Sequence, residues 1–183
     1  MHKLWQKKKE EAEALKNKPR RSPARIRLQK DVGEIIESKD YDVEPGNDLM
    51  NFTLVYRPSE GHYHGGVFRF KFDVSENYPH EPPKVRCLQT VFHPNIDTEG
   101  HVCLNVLRED WKPVLNIQSV IFGLQMLFLE PNATDPLNKD AAEMMVKNHS
   151  EFVHTVRLSM QGRKIDNTSY SKVLLASSPD YGY

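Results

Sequence analysis

The sequence predicts an α+β domain: an N-terminal helix, a four-stranded antiparallel meander, then a central helix and two C-terminal helices. Two strand-like segments, NFTLVY at 51–56 and VFRFKFD at 67–73, put their apolar bulk on one face, as strands half-covered by a core do. The segment IQSVIFGLQMLFL at 117–129 is apolar nearly all round, which suits a helix in the middle of that core. Turn-forming Pro, Gly and Asn residues separate the strand-like segments, so neighbouring strands are expected to pair antiparallel.

Residues 1–23 are mostly Lys, Glu, Ala and Arg, with Leu4, Trp5 and Leu15 as large apolar side chains, too few for a core of their own. They read as an extension, either an inert linker or a segment whose Leu4 and Trp5 anchor in a partner's groove. Residues 24–38 carry Ile26, Val32, Ile35 and Ile36, with Arg25, Arg27 and Lys30 between them, and predict an amphipathic helix with a basic outer face. Strands are expected at 41–44, 51–56, 67–73 and 84–87, broken by Pro45-Gly46-Asn47 and Gly65-Gly66. The run YPHEPP at 78–83 is read as a rigid turn, because proline lacks the N–H that a ladder needs. Residues 92–112 have no sustained period and predict a long ordered loop. After the central helix, Pro131 acts as a stop, and two more helices fit 139–148 and 150–160. The pattern fades beyond Ile165, leaving 24–175 as the core domain and 176–183 as a frayed tail.

Basic and acidic residues both number 25 among 183, so the bulk charge makes no case for nucleic acid or a membrane surface as partner. The first 21 residues carry eight basic residues against three acidic ones, but Trp5 is their only aromatic, which does not suit a nucleic-acid-binding arm. Two cysteines make no disulfide framework, and the N-terminal residues lack the apolar core of a secretory signal. No apolar run approaches the roughly 18 residues that span a bilayer. A soluble monomer in the reducing cytosol and nucleus is the expectation.

The chemistry-bearing stretch is HPNIDTEGHVCLN, residues 93–105. It places Cys103 at the end of a loop opened by His93, Pro94 and Asn95 and turned at Gly100. A cysteine so placed is a candidate nucleophile, although a small buried cysteine is the commoner role. His93, His101 and Cys87 fit no paired zinc-ligand spacing, so no metal is expected, and Cys87 reads as a packed apolar residue. His62 and His64 are read as solvated.

The spacing His-Pro-Asn, four residues, Gly, two residues, Cys resembles the active-site signature of the ubiquitin-conjugating enzyme family. YPHEPPKV at 78–85, Trp111-Lys112-Pro113, and Pro131-Asn132 through Asp135-Pro136-Leu137 resemble that family's flanking motifs, so the likeness covers about 24–162. The stretch CLNVLREDWKPVLNIQSVIFGLQMLFLEPN is similar to the family's neddylation branch. That branch has an N-terminal extension that docks on the activating enzyme, a role the resemblance gives to Lys3, Leu4 and Trp5. His2 departs from the aliphatic second residue of that branch's human-type members.

The resemblance implies that Cys103 holds a ubiquitin-like modifier as a thioester and passes it to a substrate lysine. The modifier would be the neddylation one and the substrate a cullin. No cofactor is bound, and ATP is consumed by the heterodimeric activating enzyme. Asn95 is assigned to the oxyanion, by direct donation or by bracing the loop that does so. Asp135, with Asn132 nearby, would orient the incoming amine. His93, Pro94 and Gly100 shape the loop, and Asn105 stands where many relatives have an Asp. Arg27, His80, Pro113 and Val114 are carried over as the surface for a ring-type ligase. Two other readings remain open: an enzyme that loads ubiquitin itself, and a non-catalytic scaffold of the same fold.

Overall fold

The protein is described here from a computed structural model covering residues 22–174, so Lys3, Leu4, Trp5 and the 176–183 tail lie outside the described residues. The first helix, α1, is Pro23–Gly33. The Ser22 hydroxyl accepts the Arg25 N–H at 3.3 Å, and Pro23 sits in the first turn, where a missing N–H leaves no bond unmade. α1 is shorter than the 24–38 expected, since Gly33, the poorest helix former after proline, ends it. Its buried stripe is Ala24, Leu28 and Asp31, not Ile26 and Ile36, which are exposed. Past its end the chain is tied down by polar contacts: the Ile36 N–H donates to Gln118, and the Ile36 carbonyl accepts the Tyr41 hydroxyl.

Strands β1 (Tyr41–Pro45), β2 (Asn51–Tyr56), β3 (Phe68–Asp73) and β4 (Lys84–Cys87) form the expected antiparallel meander in sequence order. The register opposes Phe52 to Phe72, Leu54 to Phe70 and Tyr56 to Phe68, which lines one face with buried, largely aromatic side chains. Against that face lies α2, Ile117–Leu129, opened by an Asn116–Ser119 capping box. Its Phe128 ring sits 4.7 Å from Phe68 and 5.1 Å from Tyr63, centroid to centroid. α2 is not buried all round, however: Phe122, Met126 and Leu129 form an exposed row at i, i+4 and i+7.

Helices α3 (Lys139–Lys147) and α4 (His149–Met160) follow, with Asn148 ending one and capping the other through the Glu151 N–H. The sequence reading missed two small features, a 3-10 turn at Asn105–Leu107 and a hairpin of β5 (Lys164–Ile165) and β6 (Thr168–Ser169). Two or three residues are too few to show a period. No helix among the described residues is long and apolar enough to cross a membrane.

A polar clamp joins α1 to the two loops beside the site. Asp31 is 2% exposed and is bonded by Arg27 Nε at 2.8 Å and by the Tyr78 hydroxyl. The two terminal nitrogens of Arg27 donate to the carbonyls of Pro113 (3.0 Å) and Leu115 (2.8 Å), and Trp111 Nε1 donates to the Pro79 carbonyl at 2.8 Å. Asp31→Ala would leave the Arg27 Nε and the Tyr78 hydroxyl without their partner. It should lower unfolding free energy by about 3 kcal/mol in urea titration; a loss below about 1 kcal/mol would show that the clamp is idle.

Candidate active site

Cys103 closes a small hairpin that starts at Asn95. The Cys103 N–H donates to the Asn95 carbonyl at 2.8 Å, Ile96 bridges Val102, and the Gly100 N–H reaches the Asp97 carbonyl at 3.0 Å. Gly100 has φ +86°, and a Cβ there would stand 2.0 Å from the Cys87 carbonyl oxygen, so only glycine fits the turn. That contact docks the hairpin on β4, where the Cys87 N–H donates to the Gly100 carbonyl at 2.9 Å. The expected ordered loop over 92–112 thus contains a small bridged hairpin pinned to the sheet edge, followed by the 3-10 turn.

His93 and Asn95 tie this hairpin to the loop after α2. His93 is fully buried and stacks on Tyr63 with centroids 4.9 Å apart. Its Nδ1 accepts the Asn95 N–H at 3.0 Å, and its Nε2 faces the Leu127 carbonyl at 3.2 Å, so the ring is neutral with its proton on Nε2. Burial pushes its pKa down to about 3, against a small opposing effect of that carbonyl.

The Asn95 carboxamide bonds the backbone of Asn132 at both ends, Nδ2 to the carbonyl at 2.7 Å and Oδ1 from the N–H at 2.9 Å. Of the two roles expected for Asn95, bracing is the one these bonds perform in the resting site, since both ends of the amide hold the backbone of Asn132. The Pro94 carbonyl accepts the N–H groups of Leu137 and Asn138, both at 2.9 Å, and so holds the far end of the same loop. The Asn132 side-chain oxygen accepts the backbone N–H and the hydroxyl of Thr134 and so shapes the same loop.

The result is one close polar contact at the thiol. Cys103 Sγ, in a residue 7% exposed, lies 3.6 Å from Asp135 Oδ2, whose side chain is 81% exposed. Burial pushes the thiol pKa up, Arg108 opposes this, and Asp135 and Glu109 add to it. Resting Cys103 is therefore a thiol that donates to Asp135, not a preformed thiolate.

The remaining candidates fall elsewhere. His80, Pro113 and Val114 are exposed on the two loops that the Arg27 clamp joins. Arg27 is half-buried, and each of its three nitrogens already donates one hydrogen bond within the chain. Cys87 is buried and its pKa is pushed up to about 12 by desolvation. Among the described residues one set of metal-ligating groups converges: Asp97, Glu99 and His101. Asp97 Oδ1 accepts the backbone N–H groups of Glu99 and His101, and the His101 ring lies between Asp97 and Arg86, so these groups organise the turn. Arg108 was not singled out in the sequence, because no short-range pattern links it to Asp135.

The His93 geometry has a measurable pH signature. The folded ring stays neutral down to pH 3, whereas the unfolded ring takes a proton below about 6.5, so stability falls as pH drops through this window. The slope is about 1.4 kcal/mol per unit. A His93→Gln chain lacks this term. Its stability deficit at pH 7.5 should shrink by about 2 kcal/mol at pH 5; a deficit independent of pH would mean that the buried ring does not stay neutral.

Comparison with known proteins agrees with this geometry. Residues 27–160 match the ubiquitin-conjugating enzyme family. The chain is 52% identical to the NEDD8-conjugating enzyme UBC12 of Yarrowia lipolytica, over 96% of this chain and 99% of that protein. It is 49% identical to the NEDD8-conjugating enzyme ubc12 of Schizosaccharomyces pombe, over 95% and 99%. Among solved structures, S. cerevisiae Ubc12 superposes with a TM-score of 0.82 at 43% identity, covering 97% of this chain and 98% of that one. Fold, hairpin-borne cysteine and sequence agree: this chain belongs to the ubiquitin-conjugating enzyme family.

Proposed function

We propose that this enzyme accepts NEDD8 from its activating enzyme as a thioester on Cys103 and transfers it to a lysine of a cullin, aided by a ring-type ligase. The observation that carries the chemistry is a solitary, nearly buried thiol within 3.6 Å of an exposed carboxylate. Identity near 50% over almost the whole chain to enzymes named for NEDD8 conjugation supports the choice of modifier.

Loading is thiol exchange: one thioester bond breaks as an equivalent one forms, and the proton of Cys103 ends on the departing thiol. A thiol with a raised pKa performs this adequately, because the nucleophilicity of its thiolate rises with pKa and partly offsets the smaller thiolate fraction. Discharge is harder. A lysine with its ordinary pKa of about 10.4 is free amine in roughly one molecule in 2,500 at pH 7. Once Cys103 is acylated it has no S–H, so Asp135 Oδ2 loses that donor and can accept an N–H of the attacking amine. The amide forms, the thioester breaks, and the surplus proton passes to the Cys103 sulfur.

For the ligase we favour the exposed loops carrying His80, Pro113 and Val114, and for the activating enzyme the Lys3, Leu4 and Trp5 tip. The test is charging with ATP and either NEDD8 or ubiquitin, each with its own activating enzyme, read on nonreducing gels. A thiol-sensitive NEDD8 adduct should form, vanish in Cys103→Ala, and form more slowly when residues 1–21 are deleted, a cut that leaves the Ser22 cap of α1 in place. An adduct that survives Cys103→Ala, or one made with ubiquitin alone, would overturn this reading; unchanged kinetics in the deletion would make the extension an inert linker.

A further inference from the structure

Arg108 takes no part in the loading and discharge steps described above, yet its backbone is held on both sides. Its N–H donates to the Asn105 carbonyl at 2.9 Å, closing the 3-10 turn, and its carbonyl accepts the Trp111 N–H at 3.2 Å. From there its Nη1 reaches to 4.0 Å of Asp135 Oδ2, the oxygen that faces the Cys103 sulfur. Stability does not explain this arrangement, because an ion pair at that distance between two exposed side chains contributes close to nothing. The sulfur, by contrast, is nearly buried, so a fixed charge beside it acts through a less screened medium than it would at the surface.

We propose that the Arg108 guanidinium is a positioning residue that supplies the counter-charge for the Cys103 sulfur, offsetting Asp135 and Glu109 whenever that sulfur is a thiolate. The need arises twice. In loading, the S–H bond breaks and the sulfur attacks the thioester carbonyl while the activating enzyme's sulfur leaves with the proton. In discharge, the lysine N–C bond forms, the S–C bond breaks, and Cys103 departs as a thiolate that then takes the amine's proton. Each time, negative charge appears on a sulfur that already has a carboxylate 3.6 Å away. Among the described groups acting on this thiol, Arg108 is the one that favours its charged form; Asp135 and Glu109 disfavour it. A carboxylate placed to serve the lysine thus hinders the thiolate, and Arg108 lets one site serve both steps.

The inference rests on Cys103 being the acceptor thiol, and alkylation by iodoacetamide tests it without modifier or activating enzyme. The full chain is titrated from pH 6 to 10 and the Cys103 peptide quantified by mass spectrometry. Arg108→Gln should move the alkylation profile up by about half to one pH unit, making the reaction about three- to tenfold slower at pH 7. Arg108→Lys should track the wild type, and Arg108→Gln with Asp135→Asn should return most of the way, since one charge of each sign has gone. An Arg108→Gln profile that superimposes on the wild type overturns the inference, whatever happens to melting temperature or charging. So does an Arg108→Lys profile displaced as far as that of Arg108→Gln. Either result leaves Cys103 as acceptor untouched; only charging that survives Cys103→Ala would remove that.

Discussion

Two hydrogen bonds between the Asn95 carboxamide and the backbone of Asn132 join segments 37 residues apart, and the site depends on them. The hairpin ending at Cys103 and the loop carrying Asp135 belong to different parts of the fold, one docked on β4 and the other following α2. Core packing brings the two together, with Ile96 and Val102 of the hairpin in the same core as Leu127 and Phe128 of α2, but the loop itself is fixed by polar bonds. The Asn95 amide holds it at one end and the Pro94 carbonyl at the other, while buried His93 holds the Asn95 N–H in place. An asparagine is needed because one side chain must both donate to a carbonyl and accept from an N–H. Serine could do this only with a shorter reach.

That frame sets up a conflict of charges. Asp135 is close enough to the sulfur to accept its proton bond, which favours the thiol over the thiolate, as burial also does. On the proposed mechanism the same carboxylate serves the amine. This is physically reasonable, since thioester exchange is nearly thermoneutral and sulfur is intrinsically nucleophilic, whereas a lysine must give up a strongly held proton. Arg108 limits the penalty on the sulfur side.

Much of the fold was legible because it rests on local patterns. The strands at 51–56 and 84–87 and the helix at 117–129 came out with the expected bounds, since their periods and turn residues are strong. The site motif was legible through resemblance, and Gly100 in particular through a backbone conformation that a side chain would forbid. What was not legible depends on long-range partners. The sequence does not say that Arg27 reaches the carbonyls of Pro113 and Leu115 more than 80 residues on, or that Asp31 is buried under Tyr78. For the same reason the burial of α1 was misread: Ile26 looked like core, while the polar Asp31 took that place through its partners.

The division of labour at the sulfur can be measured directly by comparing loading and discharge in one variant. In Asp135→Asn, single-turnover loading with NEDD8 should be unchanged or faster, because a negative charge has left the thiol's surroundings. Discharge of the loaded enzyme to free lysine should slow by at least about tenfold near neutral pH and recover as pH rises toward the lysine pKa. Slowed loading with unimpaired discharge would contradict this and place Asp135 in the service of the thiol instead.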